Sequence, residues 1–136
     1  MFTVQQIKDA HAKVKSGADF PRYIQELKHL GLTRYEFLLS TGDTVYYGEN
    51  GFSVQSGARY ETRAIKYPAS ASELRGYIAA HQRGESDFHT ICVQAAAAGV
   101  EKWVIDFEKM TCTYYDLDKN EMVVEPIPEG EYQHAD

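Results

Sequence analysis

The sequence predicts an α+β fold: two helix pairs and two antiparallel meanders in the order ααβββ(β)ααβββ, as a single domain over residues 1–128. Three observations carry that prediction. The spacing of apolar residues switches twice from helical to alternating along the chain. Cap and stop residues bracket each helical stretch. The composition is that of a globular domain, 43% hydrophobic and 25% charged, close to the usual mix of about 45–50% and 25%. A chain of 136 residues buries a core without disulfides or metals. Disorder, collagen, coiled coil and disulfide scaffold are excluded on these grounds.

Thr3 and Gln6 have capping-box spacing, and Phe2 and Ile7 stand where a hydrophobic staple closes the first turn. Val4, Ile7, His11 and Val14 then recur at helical intervals until Ser16-Gly17 stops the helix. A second helix is expected over 20–30, with Asp19 as cap, Pro21 in the first turn and Gly31 at the end. Tyr35, Phe37 and Leu39 alternate with Arg34, Glu36 and Leu38, which marks a strand. A return strand over 44–48 puts Thr44 and Tyr46 on one face and Val45 and Tyr47 on the other. Asn50-Gly51 turns the chain into a third strand at Phe52 and Val54. Residues 62–67 are expected to add a short fourth strand. Ser70 and Glu73 repeat the capping-box spacing ahead of Leu74, Tyr77, Ile78 and His81. Ser86 or Asp87 caps a fourth helix with Phe88, Ile91, Cys92 and Ala95 on one face, closed by Gly99. Strands over 103–107, 111–117 and 122–124 make the second meander, and Pro126 and Pro128 end it. Trp103, Ile105, Ala95 and Leu74 are assigned to the core. The pattern reads as two similar halves, without a residue-level repeat.

The formal charge is −6. The excess sits at the end, where Glu121, Glu125, Glu129, Glu131 and Asp136 follow the last lysine. Residues 129–136 are expected to form a flexible acidic tail. Such a balance argues against nucleic acid as a general partner. Residues 1–17 read as an amphipathic helix rather than a signal peptide. No apolar run reaches the roughly 18–20 residues that a membrane span requires. With Cys92 and Cys112 expected to be reduced, the setting is read as cytoplasmic, without a membrane role.

No motif dictates a chemistry, so catalytic residues are not assigned and the balance leans away from an enzyme. The ten tyrosines are the strongest functional signal. Tyr46-Tyr47 and Tyr114-Tyr115 are adjacent on strands, so each pair sends one ring to either face. Large amphipathic rings suit binding surfaces. Tyr46, Tyr47 and Tyr115, with His81 and His89, are therefore the candidate binding residues. The expected partner is a protein, including a second copy of this chain as a homodimer, with no cofactor and no metal.

Two alternatives stand beside this reading. His89 and Cys92 are three apart on one helix, and His81 lies one loop earlier. That set fits a small enzyme or a metal-binding protein, but zinc requires a fourth ligand or water. Arg59, Arg63 and Lys66, interleaved with Tyr60 and Tyr67, fit a nucleic-acid-binding regulator that stacks bases. His11 is read as a core-boundary histidine.

The stretch 86–106, with Leu30-Gly31-Leu32-Thr33-Arg34-Tyr35 and Ala80-His81-Gln82-Arg83-Gly84, resembles the YdfO-like family of small, often prophage-borne bacterial proteins. Some of its members are labelled "phage envelope protein". Ala98, Gly99, Val100, Trp103 and Asp106 carry the most specific part. The resemblance implies an α+β fold of about this length and no transferable activity, cofactor or catalytic residue.

Overall fold

The computed structural model describes residues 2–14, 19–60 and 62–127. Its elements are α1 (Val4–His11), α2 (Phe20–Leu30), β1 (Leu32–Leu38), β2 (Thr44–Gly48), a single 3-10 turn, β3 (Ser53–Gln55), α3 (Ala71–Gln82), α4 (Phe88–Ala97), β4 (Val100–Asp106), β5 (Thr111–Asp116) and β6 (Glu121–Pro126). The fold is α+β, and helices and strands follow the expected order. α1 ends at His11 with Ala12 as its C-cap, ahead of the stop expected at Ser16-Gly17; those two residues and the acidic tail over 129–136 lie outside the described residues.

Local chemistry sets the helix starts. The Thr3 hydroxyl accepts the Gln6 N–H at 3.1 Å, and the Gln6 side chain accepts the Thr3 N–H at 2.8 Å. The Ser70 hydroxyl accepts the Glu73 N–H at 3.2 Å, and the Asp87 carboxylate accepts the Thr90 N–H at 2.8 Å. Each satisfies a donor that the first helical turn leaves unpaired. Asp19 differs from expectation: it precedes α2 without a side-chain cap bond.

The two meanders form one sheet. β1 pairs antiparallel with β4, giving six strands in the order β3-β2-β1-β4-β5-β6. The register aligns Thr44, Phe37, Trp103, Tyr114 and Val123 in one row, and Tyr46, Tyr35, Ile105 and Cys112 in the next. These rows make the inner face. Ile7, Ile24, Leu27, Leu74 and Ala95 from the four helices bury against them in one core with Trp103 and Ile105. The opposite face carries Arg34, Glu36, Val45, Tyr47, Lys102, Val104 and Tyr115, all half-buried.

Residues 62–67 are not a strand. Residues 56–60 and 62–70 form an irregular strap; beyond Ser56, which donates to Thr44 O of β2, its backbone donors go to the turn after β1 and to the end of α4. Arg59 N–H reaches Thr41 O at 2.9 Å, Lys66 N–H reaches Ala96 O at 3.0 Å, and Ser70 N–H reaches Ala98 O at 2.8 Å. The alternation of apolar and polar residues there reflects a chain lying across the molecule, not a ladder. Gly99 permits the crossing: its φ is +97°, and a Cβ there would fall 2.5 Å from Ala69 Cα.

Candidate functional site

The helical layer does not close over the whole inner face. α3 packs on β6, but α1 makes no comparable packing on β3. The resulting cleft has a volume of about 280 Å³. Its floor is the inner face of the central strands: Tyr35, Phe37, Thr44, Tyr46 and Trp103. Val4, Ile7, Lys8 and His11 of α1, with Tyr23 of α2, form one wall. Residues 56–59 of the strap form the other.

The floor is a fixed aromatic surface. Phe37 and Trp103 stack with centroids 4.8 Å apart, and Tyr35 lies 5.7 Å from Tyr46. Phe88, at the start of α4, meets both Phe37 and Trp103 edge-on and supports them from the other helix pair. On the wall, His11 and Tyr23 are also edge to face at 5.4 Å. Such pairs hold their geometry beyond what area burial alone dictates.

The strap wall is pinned by β2 and the turn before it. Asp43 accepts the Gly57 N–H at 3.0 Å and the Gln55 side-chain amide at 3.0 Å. The Ser56 hydroxyl accepts the Thr44 N–H at 3.2 Å. The Tyr60 hydroxyl donates to Leu39 O at 2.5 Å. Gly42, at φ +74°, receives the Tyr60 ring where a Cβ would sit 2.6 Å from it.

Charge is distributed unevenly around the cleft. Lys8, His11 and Arg59 line it, and no acidic side chain does so among the described residues. Burial raises the Tyr46 phenol above its ordinary pKa, against the lowering effects of the Thr44 hydrogen bond and the Arg59 guanidinium. Tyr46 is therefore a neutral phenol at physiological pH.

The structure scatters the residues singled out from sequence. Tyr46 is on the cleft floor. Tyr47 and Tyr115 are on the opposite face, under Arg34 at 3.8 Å and Lys102 at 5.5 Å from the ring centroids. Glu36 bridges those two cations at 3.5 and 3.1 Å. His81 is buried, its Nδ1 3.0 Å from both the Ser86 carbonyl and the Ser86 hydroxyl, where it fixes the α3–α4 connection. His89 is exposed and Cys92 is buried. Among the described residues, no three His, Cys, Asp or Glu side chains are grouped to hold a metal ion. His81, His89 and Cys92 are accordingly not brought together as ligands. Arg63 lies over the Tyr60 ring at 4.3 Å, Lys66 is exposed on the strap, and Arg59 reaches the cleft. Sequence reasoning missed Lys8 and Tyr23 and gave Arg59 and His11 other roles. The helical spacing of Val4, Ile7, Lys8 and His11 was the available signal, since it places all four on adjoining faces of one helix.

Cys92 and Cys112 are both buried and not joined by a disulfide. No helix among the described residues is long and apolar enough to cross a membrane.

Comparison with known proteins gives the chain relatives. "Uncharacterized protein YcgX" of Escherichia coli (strain K12) is 26% identical over 118 residues, which cover 85% of this chain and 86% of that protein. "Uncharacterized protein Rv2012" of Mycobacterium tuberculosis and "Uncharacterized protein Mb2035" of Mycobacterium bovis are each 27% identical over 99 residues. Those matches cover 72% of this chain and 60% of each mycobacterial protein, so the chain spans only part of their length. The family model described as "Protein of unknown function (DUF1398)" matches residues 8–126. The chain therefore belongs to the DUF1398 family, whose function is unknown.

Proposed function

We propose that this protein acts by binding a small molecule, and that the tyrosine-bearing inner face of its sheet is the binding element. One observation carries the reading: a cleft of about 280 Å³ with a prearranged aromatic floor, left between α1 and the strap. An engineered apolar cavity of about 150 Å³ takes benzene, so this cleft accommodates a ring with a substituent. The rings on its floor are already ordered by their neighbours, so little conformational entropy is lost on binding. Tyr47 and Tyr115 are engaged by Arg34 and Lys102, which favours the inner face over the outer one as the binding surface. A cytoplasmic setting belongs to the same reading, supported by the two unbridged thiols. The run around Ala98–Asp106 supports a narrower kinship with the YdfO-like, prophage-borne proteins.

Indole, neutral and flat, is the probe. Titrated into the labelled protein, it should shift the NMR signals of the Trp103 side chain and of Tyr46, and leave Tyr115 unmoved. Shifts confined to Tyr47 and Tyr115 would transfer the site to the outer face, and an unchanged spectrum would end the small-molecule reading.

A further inference from the structure

We propose that the cleft is selective for a flat, apolar acid: a ring body seated on the aromatic floor and one carboxylate held at the rim by Arg59 and Lys8. The proposal rests on the binding reading above and adds the ligand's chemical class.

The charge around the cleft is opposite in sign to that of the whole chain. The chain carries a formal charge of −6, yet the side chains around this cleft include Lys8, His11 and Arg59 and, among the described residues, no acid. A cleft of one sign in a low-dielectric wall concentrates the opposite ion. Among the described residues, Asp43 is the acid whose charge acts on Tyr46 of the floor. Both of its oxygens are committed, one to the Gly57 N–H and one to the Gln55 amide, so its place is to hold the strap.

The two cations come from opposite walls. Lys8 is on α1 and Arg59 is on the strap. A carboxylate between them would be met from both sides, and the Arg59 fork suits a planar two-oxygen anion. The Arg59 backbone is fixed by the Thr41 carbonyl at 2.9 Å, and its guanidinium lies 5.7 Å from the Phe88 ring centroid. His11 and Thr44 add polar groups beside the rings. Size limits the rest: about 280 Å³ takes a ring with a short acid-bearing arm and not a nucleotide.

The test uses 3-phenylpropionate and its neutral isostere 3-phenylpropanamide, read through the fluorescence of Trp103, the only tryptophan, at low ionic strength. The acid should bind about tenfold more tightly than the amide, as expected for a charge-assisted hydrogen bond. Arg59→Gln and Lys8→Gln, both at exposed positions, should each narrow that gap. Arg34→Gln, on the outer face, should leave the gap intact. Equal affinity for acid and amide would overturn the ligand class and leave the cleft reading standing, since indole binding reports that separately. An undiminished preference for the acid in the Arg59→Gln, Lys8→Gln double variant would place the carboxylate elsewhere and overturn the proposal. Failure of all three probes to bind would remove both readings together.

Discussion

Tyr46 and Tyr114 hold the same place in the two halves of the molecule. The sheet order reads alike from either edge, so β2 and β5 are counterparts, each between a central strand and an edge strand. Each carries a Tyr-Tyr pair with its first ring on the inner face and its second on the outer. The outer rings are treated alike: Arg34 of β1 covers Tyr47, and Lys102 of β4 covers Tyr115. The inner rings are not. Tyr114 is 0% exposed, and its hydroxyl donates to Glu125 at 2.9 Å. Gln82 of α3 donates to the same carboxylate at 2.8 Å, which latches α3 onto β6. Tyr46 is 9% exposed and borders the cleft. The cause is the covering helix. α3 has 12 residues and α1 has 8, a difference of about 6 Å of helix. One plan, with one helix seated and its counterpart standing off, yields a sealed scaffold on one side and a site on the other.

The strongest way to break that comparison is to remove what both halves share. Trp103 lies on β4 but stacks on Phe37 of β1 and meets Tyr114 edge-on at 5.8 Å. Trp103→Ala should destabilise the fold by about 3–5 kcal/mol, the usual cost of emptying a large core site. A urea melt shifted by less than about 1 kcal/mol would show that the halves are supported separately.

The sealed side should next prove more sensitive than the open side to loss of a single hydroxyl. Tyr114→Phe deletes a buried hydrogen bond to a carboxylate and should cost about 1.5–3 kcal/mol. Tyr46→Phe should cost less than about 1 kcal/mol, because a group beside a cleft is resolvated when its bond is lost. Equal losses in denaturant melts would mean that the cleft is as dry as the core.

What the sequence revealed follows from how far each interaction reaches. The caps at Thr3, Ser70 and Asp87 were legible because donor and acceptor are three residues apart. The alternation of Tyr35, Phe37 and Leu39 was legible for the same reason. The pairing of Phe37 with Trp103, which merges two meanders into one sheet, depends on contacts across nearly half the chain and leaves no local mark. The strap was misread because 62–67 alternates like a strand while its donors go to the turn after β1 and to the end of α4. The cleft was legible only in pieces. Tyr46 stood out by its tyrosine neighbour and Arg59 by its basic cluster, but that cluster pointed to nucleic acid. Lys8 looked like an ordinary solvated lysine. Only the fold brings α1 and the strap to opposite sides of one floor.

The caps of the counterpart helices provide a finer test. Thr3 caps α1 and Ser70 caps α3, each through a hydroxyl to an N–H three residues on. Thr3→Ala and Ser70→Ala should each cost about 1 kcal/mol. Their effects on the cleft should differ. Loosening α1 moves the wall that carries Lys8 and His11, so Thr3→Ala should also weaken indole binding. Ser70→Ala should leave it unchanged. If both variants weaken indole alike, the cleft depends on global stability rather than on the seating of α1.

The smallest expected effect is a pH dependence at the start of α4. The Thr90 hydroxyl and backbone N–H both hydrogen-bond the Asp87 carboxylate and hold it below the ordinary aspartate range. The unfolded value is about 3.9. A carboxyl whose folded value is the lower one favours folding fully above its unfolded value, and that contribution is lost as the pH falls through the folded one. Asn also caps helices well, so Asp87→Asn removes the charge while keeping an acceptor. At neutral pH the variant should melt slightly below the parent, because a negative charge at a helix N-terminus is favoured by the helix dipole. In increasingly acidic buffer the two melting temperatures should converge as Asp87 is protonated. Asp87 is solvent-exposed, so salt should shrink the neutral-pH difference as well. Its counterpart Asp19 makes no side-chain cap bond to α2, so of this pair it is α4 whose start is capped by a carboxylate. A melting difference that stays constant from neutral to strongly acidic buffer would show that the carboxylate's charge contributes nothing at that helix start.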